Sequence, residues 1–189
     1  MYPIEFVGFA GDCVVQGRVL LFADRLSDML NHDQEFHVRD VLLDSLEDGH
    51  QVEIPEIVVA RSELYAVIGT GPRGIMERRQ RTRPYRMQVS LGPYLVLGQL
   101  HTFPCADPLS SVLRRSPMVP LTNATIAYTR AGEMCARDAA TLVVNRELAE
   151  WIRPTRDEAV AFPDVPILEP VTKGPNLAKD FTGMGGPPI

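Results

Sequence analysis

Residues 13–43 read CVVQGRVLLFADRLSDMLNHDQEFHVRDVLL, and residues 58–68 close the same stretch with VVARSELYAVI. Residues 94–126 read YLVLGQLHTFPCADPLSSVLRRSPMVPLTNATI, and residues 142–152 close it with LVVNRELAEWI. The two passages match in order. Gly17 pairs with Gly98, Leu26-Ser27 with Leu109-Ser110, and Leu64 with Leu148, with the spacing drifting slightly as loops absorb small insertions. One small folding unit is therefore written twice, and that duplication frames the architecture before any motif is weighed.

Working outward, each copy is dominated by strands. Val15–Phe22 and Tyr94–Phe103 are rich in branched and aromatic residues, as buried strands are. Leu26, Met29 and Leu30 then fall at helical spacing, as do Leu109, Val112 and Leu113 in the second copy. Asp24 is the expected N-cap of the first short helix. Asp107 is that of the second, with Pro108 at the first helical position, where a missing N–H does no harm. Phe36–Leu43, Val119–Tyr128, Ile54–Ala60 and Thr141–Asn145 read as further strands, with Gly49 and Gly132 at hairpin ends. Arg61-Ser62-Glu63 and Asn145-Arg146-Glu147 read as short turns before final strands Leu64–Ile68 and Leu148–Ile152. Asp40 aligns with Asn123, and both read as turn formers. Trp151 aligns with Val67 and is expected in the core or at the seam.

Short strands without helical crossovers imply antiparallel pairing. The expected fold is all-β with short helices: two duplicated five-stranded bent sheets, each closing on itself and packed as a pseudo-dimer with a pseudo-twofold. One copy of about 65 residues is marginal alone, so the halves are expected to share their core. The chain divides into a first repeat (1–70), an Arg-rich linker (71–84), a second repeat (85–153) and a Pro-rich extended tail (154–189).

Composition narrows function. Of 189 residues, 45% are hydrophobic, as in ordinary globular domains. The net charge of −5 argues against a general nucleic-acid or membrane-surface binder. No apolar run is long enough to span a bilayer, and MYPIEFVGFAG lacks the basic start and apolar stretch of a signal peptide. Cys13, Cys105 and Cys135 are odd in number and far apart, which points to a reducing, cytoplasmic setting.

The string from Gly17 to Leu30, with its Gly, an aromatic residue at Phe22 and an Asp at Asp24, resembles the first motif of the Sm/LSm fold. Val58–Leu64 is similar to its second. The helical stretch Arg25-Leu26-Ser27-Asp28-Met29-Leu30-Asn31 resembles an R-L-S-D-x-L-N signature of uncharacterised bacterial domains of Sm-like or SH3-like character. The resemblance implies small barrels of that type. It does not carry over an RNA site, because the Met-Asn pair that would hold a base is replaced by Leu26-Ser27 and Leu109-Ser110, and the Arg-Gly turn by Arg61-Ser62 and Asn145-Arg146.

Other constellations compete with plain structural roles. Arg73, Arg78, Arg79, Arg81, Arg83 and Arg86 concentrate guanidinium groups around the linker. Arg78, Arg79, Arg81 and Arg83 are the candidate anion site, against the simpler reading of a solvated charge run. The Arg79-to-Arg83 spacing is similar to that of cyclic-dinucleotide-binding PilZ domains, whose second motif is missing here. His32, His37, His50 and His101 are scattered and lack metal-ligand spacing. The glycines of Gly69–Gly74 have dinucleotide-loop spacing without the strand–helix context. The serines at 27, 110 and 111 sit in no nucleophile motif. In the tail, Phe162, Val165, Ile167, Leu168 and Val171 are apolar anchors spaced between prolines, suited to a groove on a partner.

The expectation is a non-catalytic, cytoplasmic scaffold or adaptor that takes no cofactor or metal. It would bind a protein partner through a barrel edge, the tail or both, with homo-oligomerisation a further option. The alternative is an anion-, nucleotide- or RNA-binding module that uses the arginines.

Overall fold

The computed structural model describes residues 2–72 and 80–155. Its elements run β1 (Tyr2–Phe9), β2 (Cys13–Leu21), α1 (Leu26–His32), β3 (Glu35–Ser45), β4 (Gln51–Ala60) and β5 (Ala66–Ile68). They continue with β6 (Arg83–Leu91), β7 (Tyr94–Thr102), α2 (Pro108–Leu113), β8 (Met118–Arg130), β9 (Glu133–Asn145) and β10 (Trp151–Pro154). A turn of 3-10 helix leads into the last strand of each half, at Arg61–Glu63 and Arg146–Leu148. The protein is therefore predominantly β, as the periodicity implied.

Local chemistry explains the helix starts unequally. The Asp107 carboxylate accepts the Ser110 N–H at 2.7 Å and Pro108 opens α2, as expected. In α1, Arg25 rather than Asp24 occupies the N-cap position and offers no side-chain cap. That helix is held instead by burying Leu26, Met29 and Leu30. Gly49 and Gly132 do turn the two long hairpins, both at positive φ.

All strands lie in one antiparallel sheet of order β10-β6-β7-β8-β9-β5-β1-β2-β3-β4. The first half contributes β5-β1-β2-β3-β4, and the second contributes β10-β6-β7-β8-β9, which is the same order. The halves agree in detail. Gly17 faces Phe6 on β1 and Gly98 faces Met87 on β6, and each glycine sits at the register shift between its strand and the next. Asp40 and Asn123, across that bulge, both adopt positive φ, 50° and 45°. Arg18 pairs with Asp40, and Gln99 bonds Asn123 at 3.1 Å. These two residues thus bend long strands; they are not turn formers after a strand.

The expected architecture also needs correction. The sheet is not closed: β5 pairs with both β1 and β9, so the strand that would seal the first half is used up joining the second. The halves do not meet about a twofold, because β5 ends one five-strand set and β9 ends the other at its opposite side; unlike edges meet, head to tail. The closing segments also align one residue differently. Phe9 faces Ala66 while the matching Ser90 faces Trp151, so Trp151 corresponds to Ala66 rather than Val67. Trp151 is neither core nor seam: it stands on the outermost strand, 39% exposed.

Each half borrows apolar surface from the other. One core cluster combines second-half residues with Phe9, Val14, Leu46 and Ala66. The other combines first-half residues with Met118 and Val143. Phe9 lies edge-on to Tyr94 and Tyr128, with ring centroids 5.4 and 5.8 Å away.

The bulge glycines give a direct stability test. A Cβ on Gly17 would stand 2.7 Å from the Arg39 carbonyl oxygen, and one on Gly98 would stand 2.9 Å from the Leu121 Cβ. Gly17→Ala and Gly98→Ala are each expected to destabilise by about 1–3 kcal/mol, read from urea unfolding, with Gly17→Ala the worse because backbone cannot yield.

Candidate functional site

The seam between the halves shows what a sheet edge of this protein is built to hold. Ala66, Val67 and Ile68 of β5 face Val144, Val143 and Leu142 of β9. The ladder is extended by the Asn145 N–H donating to the Tyr65 carbonyl and the Gly69 N–H donating to the Thr141 carbonyl, both at 2.8 Å. Side chains lock it. The Asn31 amide donates to the Met118 carbonyl at 2.9 Å and accepts the Met118 N–H at 3.0 Å. The buried Asn145 amide donates to the carbonyls of Arg61 and Leu64 and accepts the Glu147 N–H. The Tyr94 hydroxyl donates to the Ala10 carbonyl, and burial pushes its pKa upward. Arg130 reaches from the β8–β9 hairpin to the buried Asp44 carboxylate at 2.8 Å and to the Gly49 carbonyl at 3.0 Å.

Among the described residues, β4 pairs only with β3, and β10 only with β6. These are the two ends of the sheet, and they differ in chemistry. The β4 edge carries Val52 and Val58, 42% and 53% exposed, together with Glu53 and Glu56. Pro55 interrupts it, leaving Glu56–Ala60 as the uninterrupted run. The β10 edge carries Trp151, with the Arg153 guanidinium stacked 4.6 Å from its ring centroid. Arg153 also donates to the Gln88 side chain at 2.7 and 2.9 Å. Next to β10 packs α2, which exposes Leu109 (36%) and Leu113 (68%). Acidic and apolar groups thus mark one end, and basic and apolar groups the other.

Two clefts among the described residues bear on the seam and on the β4 end. One of about 600 Å³ lies between the halves and is lined by Arg25, Ser27, Thr70, His101, Thr122 and Thr141, among others. Thr122 and Thr82 bracket the His101 ring there, at 2.8 and 3.2 Å. The other, of about 790 Å³, lies on the first half under Phe22 and Leu20 and reaches Glu56 of β4. Among the described residues no group of three or more His, Cys, Asp or Glu side chains is placed to hold a metal ion, and no helix is long and apolar enough to cross a membrane.

The residues singled out in the sequence are dispersed. Arg81 and Arg83 are exposed at the start of β6, with Arg83 5.5 Å from the Tyr85 ring centroid, and Arg86 is half-buried further along. Arg73, Arg78 and Arg79 lie outside the described residues, as do the tail anchors Phe162, Val165, Ile167, Leu168 and Val171. His32 contacts Asp33 at 2.6 Å, and His37 contacts Glu56 at 3.2 Å, both at the surface. Cys105 is exposed, Cys135 is buried and Cys13 is half-buried. The edge residues Val58, Leu109, Leu113 and Ile152 were missed as candidates; what marks them is the contrast with their counterparts in the other half, which needs the strand order.

No protein-family model matches the chain, and no curated protein or solved structure matches it either.

The thiols differ in reactivity, and Cys13 is the unreactive extreme. Desolvation by burial, reinforced by the nearby Asp12, pushes its thiol up to about 11. At pH 8 only about one molecule in a thousand then carries the thiolate there. Alkylation by iodoacetamide, followed by peptide mapping, is expected to modify Cys105 quickly and Cys13 slowly, with the Cys13 rate rising about tenfold per pH unit up to about 11.

Proposed function

We propose that this chain is a non-catalytic scaffold that binds extended protein segments by adding a strand to an open end of its sheet. The observation that carries this is β4: a ten-residue strand with one neighbour among the described residues, with Val52 and Val58 exposed and its last five residues free of proline. Unpaired strand edges are binding templates, because main-chain bonds supply affinity and alternate side chains supply selectivity. The seam shows the same kind of edge, on β9, accepting a three-residue strand. The shared β-β-α-β-β-β order of each half and the bends at Gly17 and Gly98 support the finer reading of tandem Sm- or SH3-like units, left open to join one another. The exposed Arg81 and Arg83 are read here as solvating groups at the start of β6.

A synthetic peptide copying Leu64–Thr70, the segment that β9 already holds, is the probe. It is expected to slow amide hydrogen exchange at Val58 and Ala60 in the full chain, and Val58→Lys is expected to abolish that protection. Unchanged exchange at β4 with peptide in large excess would sink the strand-addition reading.

A further inference from the structure

We propose that the partner of each open end is the opposite end of a second copy: β10 and α2 of one chain dock on β4 of the next, repeating the internal seam head to tail. This rests on the strand-addition reading above and names its partner.

The argument is a comparison of counterparts. The strand registers align Val58 with Val143, Val59 with Val144 and Ala60 with Asn145. They align Trp151 with Ala66 and Ile152 with Val67. The apolar spacing shared by the two helical segments, Leu26-Met29-Leu30 and Leu109-Val112-Leu113, aligns Leu109 with Leu26 and Leu113 with Leu30. Every member of these sets that lies in the seam is buried: Val143 1%, Val67 0%, Ala66 0%, Leu26 3% and Leu30 0%. Of their outer counterparts, Val58 (53%), Trp151 (39%), Leu109 (36%) and Leu113 (68%) are exposed, whereas Ile152 is half-buried and Val59, the counterpart of Val144, is buried. Leu26 and Leu30 share a cluster with Val143 and Met118, and α1 packs against β8. Exposed leucines on α2 and an exposed valine on β4 are therefore the two halves of one contact that the chain already makes once internally.

The register follows. Ile152 faces Val58 of the neighbour, as Val67 faces Val143, and Trp151 faces Val59, as Ala66 faces Val144. Charge agrees with it. β4 carries Glu53 and Glu56 and no cation, whereas β10 carries Arg153 and no anion. Where the seam sets Asn31 of α1 against Met118, the outer contact sets Arg114 of α2 against Glu35 of the neighbour. A head-to-tail contact leaves each chain with one further face, so the assembly grows to a ring or a filament rather than stopping at an isologous dimer.

The test uses the full chain and two surface variants, Val58→Lys on the β4 face and Leu113→Glu on the α2 face, with circular dichroism melts to show that both fold. Wild type at about 50 µM is expected to sediment at a multiple of the 21.0 kDa chain mass. Each variant alone is expected to be monomeric. Mixed one to one, they keep one good pair of faces and are expected to form a dimer of one of each, which an isologous contact would not give. Wild type that stays monomeric, or variants whose mixture yields no such dimer, would overturn the proposal. If the Leu64–Thr70 peptide still protects β4 in that monomer, strand addition survives and only the identity of the partner falls.

Discussion

The rest of this structure depends on the pairing of β5 with β9. Only three residues on each strand form the ladder, yet this contact decides that ten strands make one sheet. Without it, Ala66 and Val67 would lie on an edge, and Met118 and Val143 would leave the cluster that surrounds α1. Neither half owns a complete core. The first lends Phe9, Val14, Leu46 and Ala66 to its partner and takes Met118 and Val143 in return. A unit of about 65 residues buries too small a fraction of its surface to be robust alone, so exchange of apolar side chains across the seam is what makes the halves mutually dependent.

The polar groups at the seam fix direction as well as position. Asn31 reads both the N–H and the carbonyl of Met118, a pattern that a shifted register could not satisfy. Asn145 satisfies two carbonyls of the other half from a buried position, where an unpaired amide would be expensive. The Arg130–Asp44 pair ties the β8–β9 hairpin tip to the first half, with the carboxylate buried and the guanidinium also bonded to Gly49. No twofold mate of these contacts exists at the seam, because Glu35 and Ala60, the counterparts of Met118 and Asn145, lie on β3 and β4; the seam is head to tail.

Much of this was legible in the sequence because it is local. Branched runs mark β2, β3, β7 and β8; the spacing of Leu26, Met29 and Leu30 marks α1; Asp107-Pro108 marks the start of α2; and Gly49 and Gly132 mark hairpin turns. β1 and β6 were not read as strands. Their alternation is diluted by Pro3 and Glu5 in one and by Arg83, Pro84 and Arg86 in the other, and they become strands by pairing with β2 and β7. The match of Leu64 to Leu148 was persuasive and one residue out, because two apolar residues align by pattern while the ladder aligns Tyr65 with Glu150: their N–H groups bond the matching carbonyls of Phe9 and Ser90. Strand order was not readable at all. Whether a strand lies inside a sheet or at its end is set by what remains unpaired, and that leaves no local mark.

The outer faces lack the interactions that lock the seam. At the seam, Asn145 makes buried bonds; its counterpart on β4 is Ala60, which has none to make. Gly69 donates its N–H to Thr141, but its counterpart after Arg153 is Pro154, which has no N–H to donate. Charged groups, Arg114 and Glu35, occupy the positions held in the seam by Asn31 and Met118. Each change removes a short-range, geometry-locked interaction and leaves apolar contact and charge in its place. Such contacts are weaker, and their charged part is screened by salt. The seam inside the chain is thus the geometry-locked form of this contact, and under the proposal that the outer faces repeat it between copies, the outer contact is the weaker and more salt-sensitive one.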